Sequence, residues 1–142
     1  MKDNLFQIFI DCPLQTRDEA YQFISEKLFP ENPTVVLQIK EALYEREKNG
    51  NIQIDEKVVL PHIENASVKE TAILIIQPRQ PIKNWQPNIA SVELIIAVLL
   101  PEQETDTVKR QIAGFMRRLA DPEFLNRLQK EKDSEAMQQW LN

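Results

Sequence analysis

The chain carries one histidine, His62, placed directly after proline in Val58-Val59-Leu60-Pro61-His62. A neutral imidazole is a competent nucleophile near neutral pH, because its unperturbed pKa lies at about 6.5. A phosphoryl group taken up on a ring nitrogen stays reactive enough to be passed on. Proline fixes the backbone just ahead of the ring, so the surrounding elements decide where the imidazole points. Arg46 is the second pointer. It follows Ile39 and Leu43 at helical spacing and so extends an apolar stripe. A guanidinium there can hold phosphoryl oxygens through two parallel hydrogen bonds. The residues alone leave plainer accounts open: a structural histidine, and a cation that complements the negative end of a helix dipole.

Other chemistries are poorly supplied. One cysteine, Cys12, and one histidine are too few ligands for a zinc site of the usual kind. Cys12 reads as a small, partly buried residue with no disulfide partner. There is no Gly-x-Ser-x-Gly elbow. Only two glycines occur, Gly50 and Gly114, which disfavours a glycine-rich phosphate loop. Glu45, Glu47, Asp55, Glu56 and Glu64 lack calcium-loop spacing and read as solvated charge. Trp85 and Trp140 read as packing residues. The formal charge of −5 argues against a nucleic-acid binder, which needs a basic face to displace phosphate counterions. No leader-like segment opens the chain, and the longest apolar run, Leu94 to Leu100, is too short to span a bilayer. These features read as a cytoplasmic protein of one domain, residues 1–142.

The elements that must position His62 and Arg46 follow from periodicity and punctuation. Leu5 to Ile10 reads as a strand ended by Pro13. Thr16-Arg17-Asp18-Glu19 spells a capping box, followed by Ala20, Phe23, Ile24 and Leu28 at helical spacing and a stop at Pro30. Asn32-Pro33 opens a second helix with the stripe Val36, Ile39, Leu43, and Gly50 ends it. Val58 to Leu60, Ala72 to Gln77 and Val92 to Leu100 are extended. The last two are nearly all apolar, as strands covered on both faces are. The expected histidine position is just past the first of these strands. Val108, Ile112, Phe115, Met116 and Leu119 form a further helical stripe. Asp121-Pro122 caps a helix carrying Phe124, Leu125 and Leu128, and Ser134 caps a last one. Strands in the middle with helices before and after give an α/β domain: a β-sheet with helices on both faces.

The segment from Glu45-Arg46-Glu47 through Val58-Val59-Leu60-Pro61-His62 resembles the signature of the fructose/mannitol-type IIA domains of the bacterial sugar phosphotransferase system. The likeness extends in order along nearly the whole chain, through Thr16 to Leu28, Gln77 to Trp85, Val92 to Pro101 and Asp121 to Leu125. It implies a mixed β-sheet flanked by helices. It implies that phosphorylated HPr donates a phosphoryl group to His62, with Nε2 the favoured acceptor. A IIB domain would then receive the group for sugar entering through a membrane IIC component. Arg46 matches the family arginine beside the histidine and would stabilise the phosphoryl group. Neither a metal nor a soluble cofactor is implied.

The chain departs from the family pattern in three places. Asp55, Glu56 and Lys57 stand where glycine is usual, and carboxylates near an incoming phosphoryl group would repel it unless they point away. Ile63 stands where a small residue often follows the histidine. Thr107-Val108 occupies the region where many members carry a second histidine. A divergent transport domain and a regulatory relative, whose phosphorylation controls a partner protein by added charge, both fit. An interaction module in which His62 is merely structural is the third reading.

Overall fold

The computed structural model describes residues 5–142. Eight strands and five helices follow one another among these residues. The first strand, β1, spans Phe6–Cys12. Thr16 then caps α1, Arg17–Leu28, its hydroxyl accepting from Glu19 N–H at 3.0 Å. The returning Glu19 carboxylate takes the Gln15 N–H at 2.8 Å, one residue earlier than in the usual reciprocal box. The buried face of α1 is Ala20, Tyr21, Ile24 and Ser25. The expected Phe23 and Leu28 are only half-buried. They pack at the border of the core, Phe23 edge-on to Phe9.

Asn32 caps α2, Pro33–Asn49, by accepting from Val35 N–H, with Pro33 in the first turn where no donor is needed. Gly50 ends the helix as expected, but with φ 178°, an extended backbone open to any residue. Its role is therefore not the left-handed cap that usually selects glycine. Next come β2, Gln53–Asp55, β3, Val58–Val59, and β4, His62–Glu64. The long strands are β5, Ala72–Pro78, and β8, Leu94–Leu100. Between them lies a hairpin that the sequence patterns did not reveal, β6, Ile82–Gln86, and β7, Ile89–Val92. The expected single strand from Val92 is thus divided at Glu93 between β7 and β8.

The main sheet is mixed, in the order β1-β5-β8-β3-β2, with β4 also on β8. β1 runs parallel to β5, β5 antiparallel to β8, and both β3 and β4 parallel to β8. β5 and β8 have neighbours on both edges and helices on both faces, which is why their residues are almost all buried and apolar. Alternation sends Leu74, Ile76, Ile95, Ala97 and Leu99 toward α1, α2 and the hairpin. It sends Ile73, Ile75, Leu94, Ile96 and Val98 to the other side. There the sheet meets α3, Asp106–Arg118, α4, Pro122–Lys130, and α5, Ser134–Leu141. The cap of α5 is Asp133, not Ser134: its Oδ1 accepts from Glu135 and Ala136 N–H. The α/β layering with helices on both faces is as the sequence predicts.

Candidate functional site

β3 and β4 form one line along β8, broken at Leu60-Pro61. Proline has no N–H to give to a ladder, and Leu60 N–H turns instead to Ile52 O at 2.7 Å. Pairing resumes when Val98 N–H bonds Pro61 O at 2.9 Å. His62 is therefore the first residue of a strand, opposite Val98, rather than lying beyond a strand end as its sequence context suggested. Ile63, next to it, points to the opposite face and packs in the α1/α2 core. The bulk after the histidine consequently lies away from the ring.

The His62 ring is half-buried and lines an open hollow of about 340 Å³. One wall comes from Ile52, Ile54 and Leu60, the other from Met116 of α3 and Leu119 just beyond its end, and Arg46 reaches in from the last turn of α2. The two residues singled out from sequence thus share one cavity at the seam between the helical layers. Arg46 Nη1 donates to Gly50 O at 2.9 Å. A Cβ added at Gly50 would stand 3.2 Å from that nitrogen, so this glycine leaves room for the guanidinium. Burial pushes the His62 pKa below its ordinary 6.5; the Glu64 carboxylate pulls it back up, and the Arg46 charge lowers it further. The net effect keeps the ring neutral and nucleophilic at pH 7. Asp55 and Glu56 are exposed, and neither lines the hollow. Asp55 Oδ1 accepts from Glu56 N–H at 2.8 Å.

One residue was misread. Glu47, taken as solvated charge, is buried and takes the place on the α2 stripe that spacing had assigned to Arg46. Val36, Ile39, Leu43 and Glu47 are the buried positions of this helix, while Arg46 sits half-buried beside them. The Glu47 carboxylate accepts from Tyr21 Oη at 2.5 Å, Trp85 Nε1 at 3.0 Å and Gln86 Nε2 at 3.2 Å. Arg17 Nη1 lies 3.4 Å away. The signal was in the sequence: stepping by four from Ile39 and Leu43 lands on Glu47. Trp85 is packed in the core, edge-on to Tyr21, Trp140 is half-buried against Phe124, and Cys12 is buried.

Residues 4–142 match the family described as "Phosphoenolpyruvate-dependent sugar phosphotransferase system, EIIA 2". Among curated relatives, the 2-O-alpha-mannosyl-D-glycerate-specific EIIABC component of Escherichia coli (strain K12) is 28% identical over 124 residues, 84% of this chain and 19% of that protein. The Nitrogen regulatory protein of the same strain is 28% identical over 130 residues, 88% of this chain and 77% of that protein. The chain spans only 16–19% of the length of the first curated relatives it matches. Among solved structures, the nitrogen regulatory protein IIA-Ntr of Neisseria meningitidis superposes with a TM-score of 0.78 at 21% identity, covering 97% of each chain. The complex of enzyme IIAMTL with phosphorylated enzyme IIBMTL from Escherichia coli gives 0.66 at 18% identity, covering 96% of this chain and 98% of that one. Among the described residues no helix is long and apolar enough to cross a membrane.

Proposed function

The chain belongs to the phosphoenolpyruvate-dependent sugar phosphotransferase system EIIA 2 family and is a IIA-type phosphocarrier domain; from that premise we propose that His62 is its phosphoryl acceptor and Arg46 its phosphoryl clamp. The donor is phosphorylated HPr, the recipient a IIB domain serving a membrane permease, and the work is done in the cytoplasm. The observation that carries this reading is the shared hollow: an imidazole and a guanidinium line one open cavity.

In the transfer, a ring nitrogen of His62 attacks phosphorus in line with the bond to the donor. That bond breaks as the new P–N bond forms, and its electron pair leaves with the donor. The charge of the loose, metaphosphate-like group stays on its three oxygens, where a fixed cation stabilises it. Arg46 supplies that cation without first having to be recruited, because Gly50 O already holds it. Release to IIB is the same step reversed. The IIA–IIB complex among the structures of this fold supports that recipient. Incubation with enzyme I, HPr and phosphoenolpyruvate tests the reading. Acid-labile phosphate is expected on the protein and none on His62→Ala; a labelled His62→Ala protein would overturn the assignment.

A regulatory role, in which phosphorylation of His62 controls a partner protein, has one observation in its favour. The relatives matched over most of their length include a Nitrogen regulatory protein. Transfer of label onward to a IIB domain separates the two: transport requires it, and regulation does not.

A further inference from the structure

We propose that Glu47 is a positioning residue for phosphoryl transfer, its buried carboxylate locking the last turn of α2 so that the neighbouring Arg46 is aimed into the His62 hollow. The inference rests on the roles of His62 and Arg46 given above, and it concerns a side chain that does not line their cavity.

Glu47 is the only carboxylate on the buried stripe of α2. Its two oxygens collect donors from two other elements: Arg17 and Tyr21 on α1, and Trp85 and Gln86 on β6. Desolvating a charge is costly, and an apolar side chain of similar shape often serves stability as well or better. The network therefore asks for a benefit other than stability. Direction is what it supplies. Apolar contacts along Val36, Ile39 and Leu43 let a helix end roll, whereas hydrogen bonds from Tyr21, Trp85 and Gln86 fix its rotation.

That rotation matters for the next residue. Successive helical residues lie roughly 100° apart around the axis, so with Glu47 turned into the α1/β6 side, Arg46 is turned toward β4 and α3. With side chains reaching about 5–6 Å from the axis, a roll of about 10° moves a guanidinium by about 1 Å. A misplacement of about 1 Å at a transferring group can cost about a hundredfold in rate. The Gly50 carbonyl bond keeps part of the alignment. Glu47→Gln also keeps the shape and an acceptor for Trp85, so the expected loss for that variant is about tenfold.

The test is a double-mutant cycle on transfer from phospho-HPr, with Glu47→Gln, Arg46→Ala and the pair. Circular dichroism and thermal melts normalise the rates to folded protein. Glu47→Gln is expected to lower kcat about tenfold with KM for phospho-HPr within about twofold. Added to Arg46→Ala it is expected to do nothing further, since there is no guanidinium left to aim. His62 supplies a second readout, because it is the only histidine and its ring protons titrate without overlap. Removing a carboxylate by itself lowers the imidazole pKa. Swinging Arg46 away raises it, so a higher midpoint in Glu47→Gln marks displacement. An unchanged kcat, or an equal fractional loss with and without Arg46→Ala, would each overturn the inference. Should Glu47→Gln fail to fold, Trp85→Phe removes one donor outside the hollow and runs through the same cycle with the same criteria. A wild-type protein that takes up no phosphate overturns the functional reading and this inference together. Labelled wild-type protein with additive losses overturns only the inference.

Discussion

Arg46→Ala separates a clamp from a cap. In the folded protein the guanidinium donates to Gly50 O and stands in the His62 hollow. Truncation removes the guanidinium that lines the hollow with His62. Deleting one preorganised donor from a water-excluded site costs about 2.7–4 kcal/mol of transition-state stabilisation. This hollow is open and Arg46 is half-exposed, so screening reduces the figure to about 2 kcal/mol, or about a thirtyfold slower transfer. The stability effect is separate and small. The lost hydrogen bond is worth about 0.5–1.5 kcal/mol, water can reach the freed carbonyl, and Ala is a better helix former than Arg. A net loss of about 1 kcal/mol lowers Tm by roughly 2–4 °C in a chain of this size. The assay is the initial rate of acid-labile phosphate uptake from phosphoenolpyruvate through enzyme I and HPr, per folded molecule. A rate within about twofold of wild type, with Tm down by more than about 8 °C, would refute the clamp and leave Arg46 as a helix-end cation.

Gly50→Ala is expected to fold as well as wild type or slightly better, because φ 178° suits alanine and the unfolded chain loses freedom. Transfer should nevertheless fall roughly threefold to tenfold as the new methyl presses on Arg46; unchanged rates would show that the guanidinium moves aside freely. Burial sets the His62 pKa below 6.5, so its ring-proton titration should have a midpoint under 6.5, and phosphate uptake should decline as pH falls through that midpoint. The same depressed value means that folding stability is present above pH 6.5 and is lost as pH falls through the folded midpoint; a midpoint at or above 6.5 would contradict this. Gln77→Ala removes the donors that hold Leu128 O and Glu131 O, both at 2.8 Å, from a buried site on β5. Urea denaturation should show a loss of roughly 2–4 kcal/mol from the orphaned carbonyls; a loss below about 1 kcal/mol would mean that water replaces the amide.

Much of the architecture was legible because local physics dictates it. The caps at Thr16, Asn32 and Asp121 are satisfied within a few residues of themselves. The short apolar runs that became β5 and β8 have the length and composition of strands covered on both sides. The candidate acceptor proposed above was legible as well, since His62 is the only imidazole in the chain. What the tertiary structure decided was which side chains face one another. Alternation alone could not place Ile63 in one core and His62 toward the other layer until β4 was paired with β8. The β6–β7 hairpin was hidden because Lys83, Asn84 and Ser91 interrupt its alternation, and a positive φ at Asn84 accompanies its shifted register. Glu47 was misjudged because a carboxylate's cost of burial depends on donors brought from α1 and β6. Periodicity puts Glu47 on the buried stripe, but the partners that make its burial tolerable are distant in sequence and leave no local trace.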